Sequence, residues 1–157
     1  MAFVTSLAGV DLEQVDTTPK YALGSIIETS DGQYQYVKHA LSGAITAGLI
    51  YKISSAFVTV LLTTAVSGDV PTNAVAFQIE VGAGNTTAQY AWAFSGFGNF
   101  NASVATSISA GAALTTTTSA GVLGASGDAV GAAAVGETSA GAAVIACYAP
   151  GKLKTNA

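Results

Sequence analysis

The stretch "YALGSIIETSDGQYQYVKHA", residues 21–40, decides the fold class. Two runs that are β-rich by composition, Tyr21 to Glu28 and Gln33 to His39, flank "TSDG". An Asp-Gly pair between such runs marks a hairpin, because glycine accepts positive φ where other residues are strained. Along the second run Tyr34, Tyr36 and Lys38 fall on one face and Gln33, Gln35 and Val37 on the other. A strand that is polar on both faces suits a sheet edge or an interface.

Outward from this hairpin the chain reads as short strands punctuated by glycine. Candidate strands occupy residues 49–53, 57–66, 75–81, 87–96, 121–125, 129–136 and 142–149. A spacing of about ten residues with turn residues between the runs points to a sandwich or barrel and away from βαβ units. A helix is least excluded over residues 101–110, and even there Thr106 and the adjoining Gly111 argue against one. The expected fold is therefore all-β: one β-sandwich or barrel-like domain with Gly/Ala-rich short strands and an extended N-terminal arm.

Residues 1–18 carry three of the nine acids and no Lys, and they stop at "TTPK", where Pro19 interrupts any continuing ladder. They are read as the arm. Residues 19–150 form the β-rich domain and residues 151–157 a short flexible tail. The stretch from residue 107 to residue 149 is low in complexity but holds only two acids, whereas disordered segments are enriched in charge and Pro. Order is expected there, with Ala and Gly letting backbones approach closely, as near an axis where three chains meet.

Composition restricts the partners. At 157 residues the chain can bury a core without disulfides, yet only 9% of it is charged, far below the usual quarter. So sparsely charged a surface is expected to be covered in part by copies of itself or by a partner. The five cations are all Lys and the net charge is −4, so the chain lacks the bidentate phosphate fork and repels a polyanion. No nucleic acid is expected as a ligand. The most apolar window, "ISSAFVTVLLTTAVSG" at residues 53–68, is shorter than the roughly 20 residues that cross a bilayer, and no membrane association is expected. The N-terminus is not read as a basic, apolar leader, and synthesis in a cytoplasm is expected.

Chemistry-bearing constellations are absent from the pattern. His39 is the one histidine, and no carboxylate stands at a motif distance from it, so it is read as a surface or interface residue. Glu28, Asp31, Asp69, Glu80, Asp128 and Glu137 are isolated along the chain. "VGAGNTTAQ" and "GASGDAVG" lack the Lys-Ser/Thr that phosphate cradling needs and read as turns. The lone Cys147 sits in an apolar run and is read as a buried strand residue. No catalytic residue, cofactor or metal ligand is assigned, and the chain is expected not to be an enzyme. The density of aromatics in "YAWAFSGFGNF" stands out: Tyr90, Trp92 and Phe94 alternate on one face, followed by Phe97 and Phe100. They suit a core strand or, with Tyr34 and Tyr36, a subunit interface, since Trp and Tyr dominate interface hot spots.

The order of these pieces, "LGSIIETSDGQYQYVKHALSGAITAGLIYKI", then "AQYAWAFSGFG", then "AGAALTTTTSAGVLGA" and "AVGAAAVGETSAGAAVIACY", resembles the small capsid decoration, or cement, proteins of tailed bacteriophages. The likeness covers about residues 20–148, with Gln33 where a basic residue is usual. It implies a β-rich homotrimer on the exterior of the virion, bound to the major capsid protein of a phage head and stabilising the shell. Val4, Leu7, Val10 and Leu12 would supply the arm's apolar contacts to the capsid. The alternative is another self-assembling structural subunit, of the phage tail, fibre or surface-layer type, which would assemble without a shell.

Overall fold

The computed structural model describes residues 3–4, 9–39, 44–62, 73–82, 87–96, 98–105, 107–125, 129–135, 141–147 and 153–154. The protein is all-β. Its strands are β1 (Phe3–Val4), β2 (Val15–Asp16), β3 (Ile26–Thr29), β4 (Gly32–His39), β5 (Ile50–Ile53), β6 (Thr59–Leu61) and β7 (Asn73–Ala76). They continue with β8 (Gln89–Gly96), β9 (Gly98–Val104), β10 (Ala113–Thr116), β11 (Leu123–Gly124), β12 (Ala129–Ala134), β13 (Gly141–Cys147) and β14 (Leu153–Lys154).

The hairpin of residues 21–40 is present as β3–β4, paired from Ile26↔Gln35 to Thr29↔Gly32 around a Ser30–Asp31 tip. Thr29 Oγ1 accepts from Asp31 N and donates to Gly32 O, which fixes the tip. From here one sheet extends in the order β1-β3-β4-β8-β7-β5-β6, with β2 beside β8 and β14 beside β7. The second unit comes from the C-terminal half, where the pairings β10-β11-β9-β13-β12 close into a ring. Most of the described residues of the low-complexity stretch are therefore strand, and its Ala and Gly content suits a ring of five strands, which encloses little room.

Two apolar clusters hold the units. Ile27, Tyr34, Tyr36, Trp92 and Phe94 of the sheet pack with Phe100, Ala102, Val104, Leu114 and Leu123 of the ring, so this core joins both units. On the other face of the sheet Val37, Tyr51, Ile53, Val75, Phe77, Ala91 and Ala93 form the second cluster. That face is closed by curling: Lys38 N donates to Phe57 O at 2.9 Å and Lys38 bridges Val58, bringing the approach to β6 against β4. Phe57 takes φ 58°, costly for an aromatic residue, and its ring lies directly on Gly24, where no side chain interferes.

Several expectations are corrected here. Strand β4 is not an edge, because β3 and β8 flank it. Its polar face is buried and satisfied: Gln33 Nε2 donates to Glu28 Oε1, Gln35 Nε2 to Gly24 O, and Ser95 Oγ to Gln33 O. Of the window 101–110, where a helix was least excluded, residues 101–104 belong to strand β9, and β10 forms in "ALTT", outside the candidate strands. The expected strand 75–81 ends at Ala76, and Phe57 lies in a turn and not in a strand. Leu153 and Lys154, expected in a flexible tail, pair with Ala74 and Asn73. Residues 63–72, within which part of the expected strand 57–66 falls, lie outside the described residues.

Candidate interaction surface

The residues singled out in the sequence fall inside the molecule. Tyr34, Tyr36, Trp92, Phe94 and Phe100 are all buried in one chain. Tyr34 stands opposite Phe94 and Tyr36 opposite Trp92 across β4 and β8, and this register points both rows into the core. Phe94 stacks on Phe100 with ring centroids 4.9 Å apart, linking sheet to ring. Of the two readings the sequence left open, core strand and subunit interface, these five are core side chains, because the ring unit already covers them. Tyr90 is half-buried beside the same cluster, and Phe97 lies outside the described residues.

The expected arm is also partly built into the domain. Val15 and Asp16 pair with Ala91 and Tyr90, and Phe3 and Val4 pair parallel with Ile26 and Ile27. Val10 and Leu12 pack against the chain's own core, so their apolar contacts are not free for a capsid; Leu7 lies outside the described residues. A polar latch fastens the segment: the buried Tyr36 hydroxyl donates to Asp16 Oδ2 at 3.0 Å and accepts from Lys20 N, while Lys20 Nζ pairs with Asp16 Oδ1 at 2.8 Å. Sequence reasoning missed Asp16, although its four-residue spacing to Lys20 was visible. Replacing Asp16 with Ala strands the Tyr36 hydroxyl and is expected to cost about 2 kcal/mol in urea unfolding, whereas Lys20→Met, at the half-exposed end, costs about 1 kcal/mol or less.

Burial pushes the Tyr36 hydroxyl up to about 12, with the Asp16 carboxylate reinforcing the shift, and burial also raises Tyr34 and Tyr51. Each of these groups keeps its proton more tightly folded than unfolded, so the stabilisation is complete below the unfolded value of 10.0 and is lost as pH rises above it, for Tyr36 over the range up to about 12. The urea midpoint should fall across that window together with the appearance of tyrosinate absorbance. A midpoint that stays level through it would contradict the buried assignment of Tyr36.

His39 is a second correction. It is buried, with Nδ1 2.7 Å from Thr59 Oγ1 and its ring edge-on to Tyr51 and Phe77, so it is a core residue and not a surface or interface one. Among the described residues no group of three or more His, Cys, Asp or Glu side chains gathers as a metal site. Of Cys147 the structure gives the backbone, which closes β13 opposite Ala132 and Gly98. No helix among the described residues is long and apolar enough to cross a membrane.

What the surface offers is the seam between the units. A cleft of about 320 Å³ is lined by Ala47, Gly48, Phe77, Gln78 and residues 100–103. A wider one of about 430 Å³ is lined by Ser30, Asp31, Gln78, Gly98 and Asn99. No protein-family model matches this chain, and neither does any curated protein.

Proposed function

We propose that the chain is a structural virion protein of the capsid-decoration type, binding the outer surface of a phage head and stabilising the shell as a homotrimer. The observation that carries this is where the cement-like segments fall. "SIIETSDGQYQYVK" is the β3–β4 hairpin, "LIYKI" contains β5, "AQYAWAFSG" contains β8, and the two Ala/Gly-rich phrases contain β10 to β13. The ordered series of the resemblance is therefore the framework of one fold and not a scatter of loops. Low charge supports the same role, since a chain with only 9% charged residues presents a sparsely charged surface suited to being covered on a lattice. A clip that binds the assembled shell and not its separate subunits stabilises the shell by mass action, and many copies convert modest affinity into lasting attachment.

The test is a molar mass by light scattering, followed by cosedimentation with purified expanded heads of the encoding phage. A trimer that sediments with heads and raises their resistance to heat is the expected result. A chain that polymerises into filaments without heads belongs to the tail, fibre or surface-layer class. A chain that neither associates nor binds heads has neither role.

A further inference from the structure

Among the described residues, the seam between sheet and ring contains a short unpaired stretch of strand edge. In β9 the pairing with β13 runs without interruption from Gly98↔Cys147 to Val104↔Gly141. Ser103 N donates away from β13, to Gly48 O at 2.9 Å. Peptide groups alternate in direction along an antiparallel strand, so those of Asn99 and Asn101 also face away from β13. No backbone bond joins either of them to a described residue on that side. Gly48 lies over Asn101 O, which leaves Asn99 N–H, Asn99 C=O and Asn101 N–H without a backbone partner among the described residues.

Both clefts lie along this edge. The narrower borders residues 100–103, the wider borders Gly98 and Asn99, and the exposed Gln78 lines both. Together they make a trough bordering residues 98–103 of β9, where the stretch from Asn99 to Asn101 N–H is the part not taken by Gly48. Gln78 Nε2 is held by the Tyr34 hydroxyl at 2.9 Å, so its amide is fixed in place beside the edge. The described lining is uncharged but for one carboxylate, Asp31 at the Gly98 end, and none of the five Lys lines it.

We infer that this trough accepts an extended segment of another protein as an added strand along β9, with a Lys or Arg of that segment over Asp31. Main-chain bonds to Asn99 and Asn101 would provide affinity, and Asp31 would provide direction. An antiparallel segment, the more stable pairing, has its C-terminal end at Gly98, so the cation belongs there. A second copy of this chain seated on this edge would appear as self-association without peptide. The capsid proposal is deepened by naming its contact, and rests on it only for the segment's owner.

The probes are capped hexapeptides of alternating Thr and Val that end in Lys or in Glu, titrated at millimolar concentration into the full chain and followed by amide NMR. Shifts at the Asn99 and Asn101 amides are expected, with the Lys-ended peptide binding about threefold more tightly than the Glu-ended one. Asn99→Pro should abolish the shifts while leaving the melting temperature near that of the parent, because it removes only the N–H facing the trough. Asn99→Ala keeps that N–H and should bind normally, and Asp31→Asn should erase the preference for Lys. Three results would each overturn the inference: no shift along residues 98–103, equal binding by Asn99→Pro and Asn99→Ala, or self-association through this edge without peptide. Peptide binding without head binding would sink the capsid reading alone, and head binding that survives Asn99→Pro would overturn the trough as the capsid contact.

Discussion

Gly98→Ala is expected to destabilise the protein by on the order of 4 kcal/mol, enough to leave many small domains unfolded. Gly98 adopts φ 140°, and a Cβ there would run into the backbone carbonyl of Asp31 and meet Gly32 Cα at 3.0 Å. Neither obstacle can yield cheaply, because Asp31 and Gly32 form the tip of the β3–β4 hairpin and Gly98 begins the β9 ladder. The clash falls where sheet and ring are joined, so it strains both units at once. Gly141 is the control: it has φ 117°, but nothing lies within 4 Å of its Cβ position, so Gly141→Ala carries only the conformational strain, about 1 kcal/mol. Urea unfolding of the two variants separates the close approach from the backbone preference. Equal losses would mean that the contact between hairpin tip and β9 is not a fixed feature of the fold.

The parts of this architecture that were legible in the sequence are those written locally. The β3–β4 hairpin follows from Asp-Gly between two β-rich runs, and the inward row of β8 follows from the alternation of Tyr90, Trp92 and Phe94. Strand β9 was equally written, since Phe100, Ala102 and Val104 alternate with Asn99, Asn101 and Ser103, but the weak strand propensity of Asn and Ser obscured the period. What could not be read is whatever depends on a distant partner. The polar face of β4 looks like an edge until Glu28, Gly24 and Ser95 are seen to satisfy it. His39 looks exposed until Thr59 is found beside it, 20 residues away in sequence. The trough was invisible for the same reason: Asp31, Gln78 and Asn99 meet only once the ring has docked on the sheet.

Trp92→Ala is expected to cost about 4 kcal/mol without altering the molar mass of the folded protein. Trp92 is buried between Tyr21 and Tyr36, with ring centroids 5.2 Å from each, in the cluster that joins sheet to ring. Truncation leaves a cavity that rigid strands on both sides cannot close. An interface anchor behaves differently, since its removal lowers association and leaves the unfolding of a single chain nearly unchanged. The loss should therefore be independent of protein concentration. Trp92→Phe refines the point. Trp92 Nε1 has no hydrogen-bond partner among the described residues, so phenylalanine gives up volume but also removes a buried, unsatisfied donor. Its cost should stay near 1–2 kcal/mol, well below the alanine value. Tyr36→Phe is the converse case: it barely changes volume yet takes from Asp16 its hydroxyl partner, and it should cost about as much as Trp92→Phe despite deleting a single atom. Comparable losses from these two substitutions, with a much larger one for Trp92→Ala, identify packing as the main contribution of the aromatic row and hydrogen bonding as that of the latch.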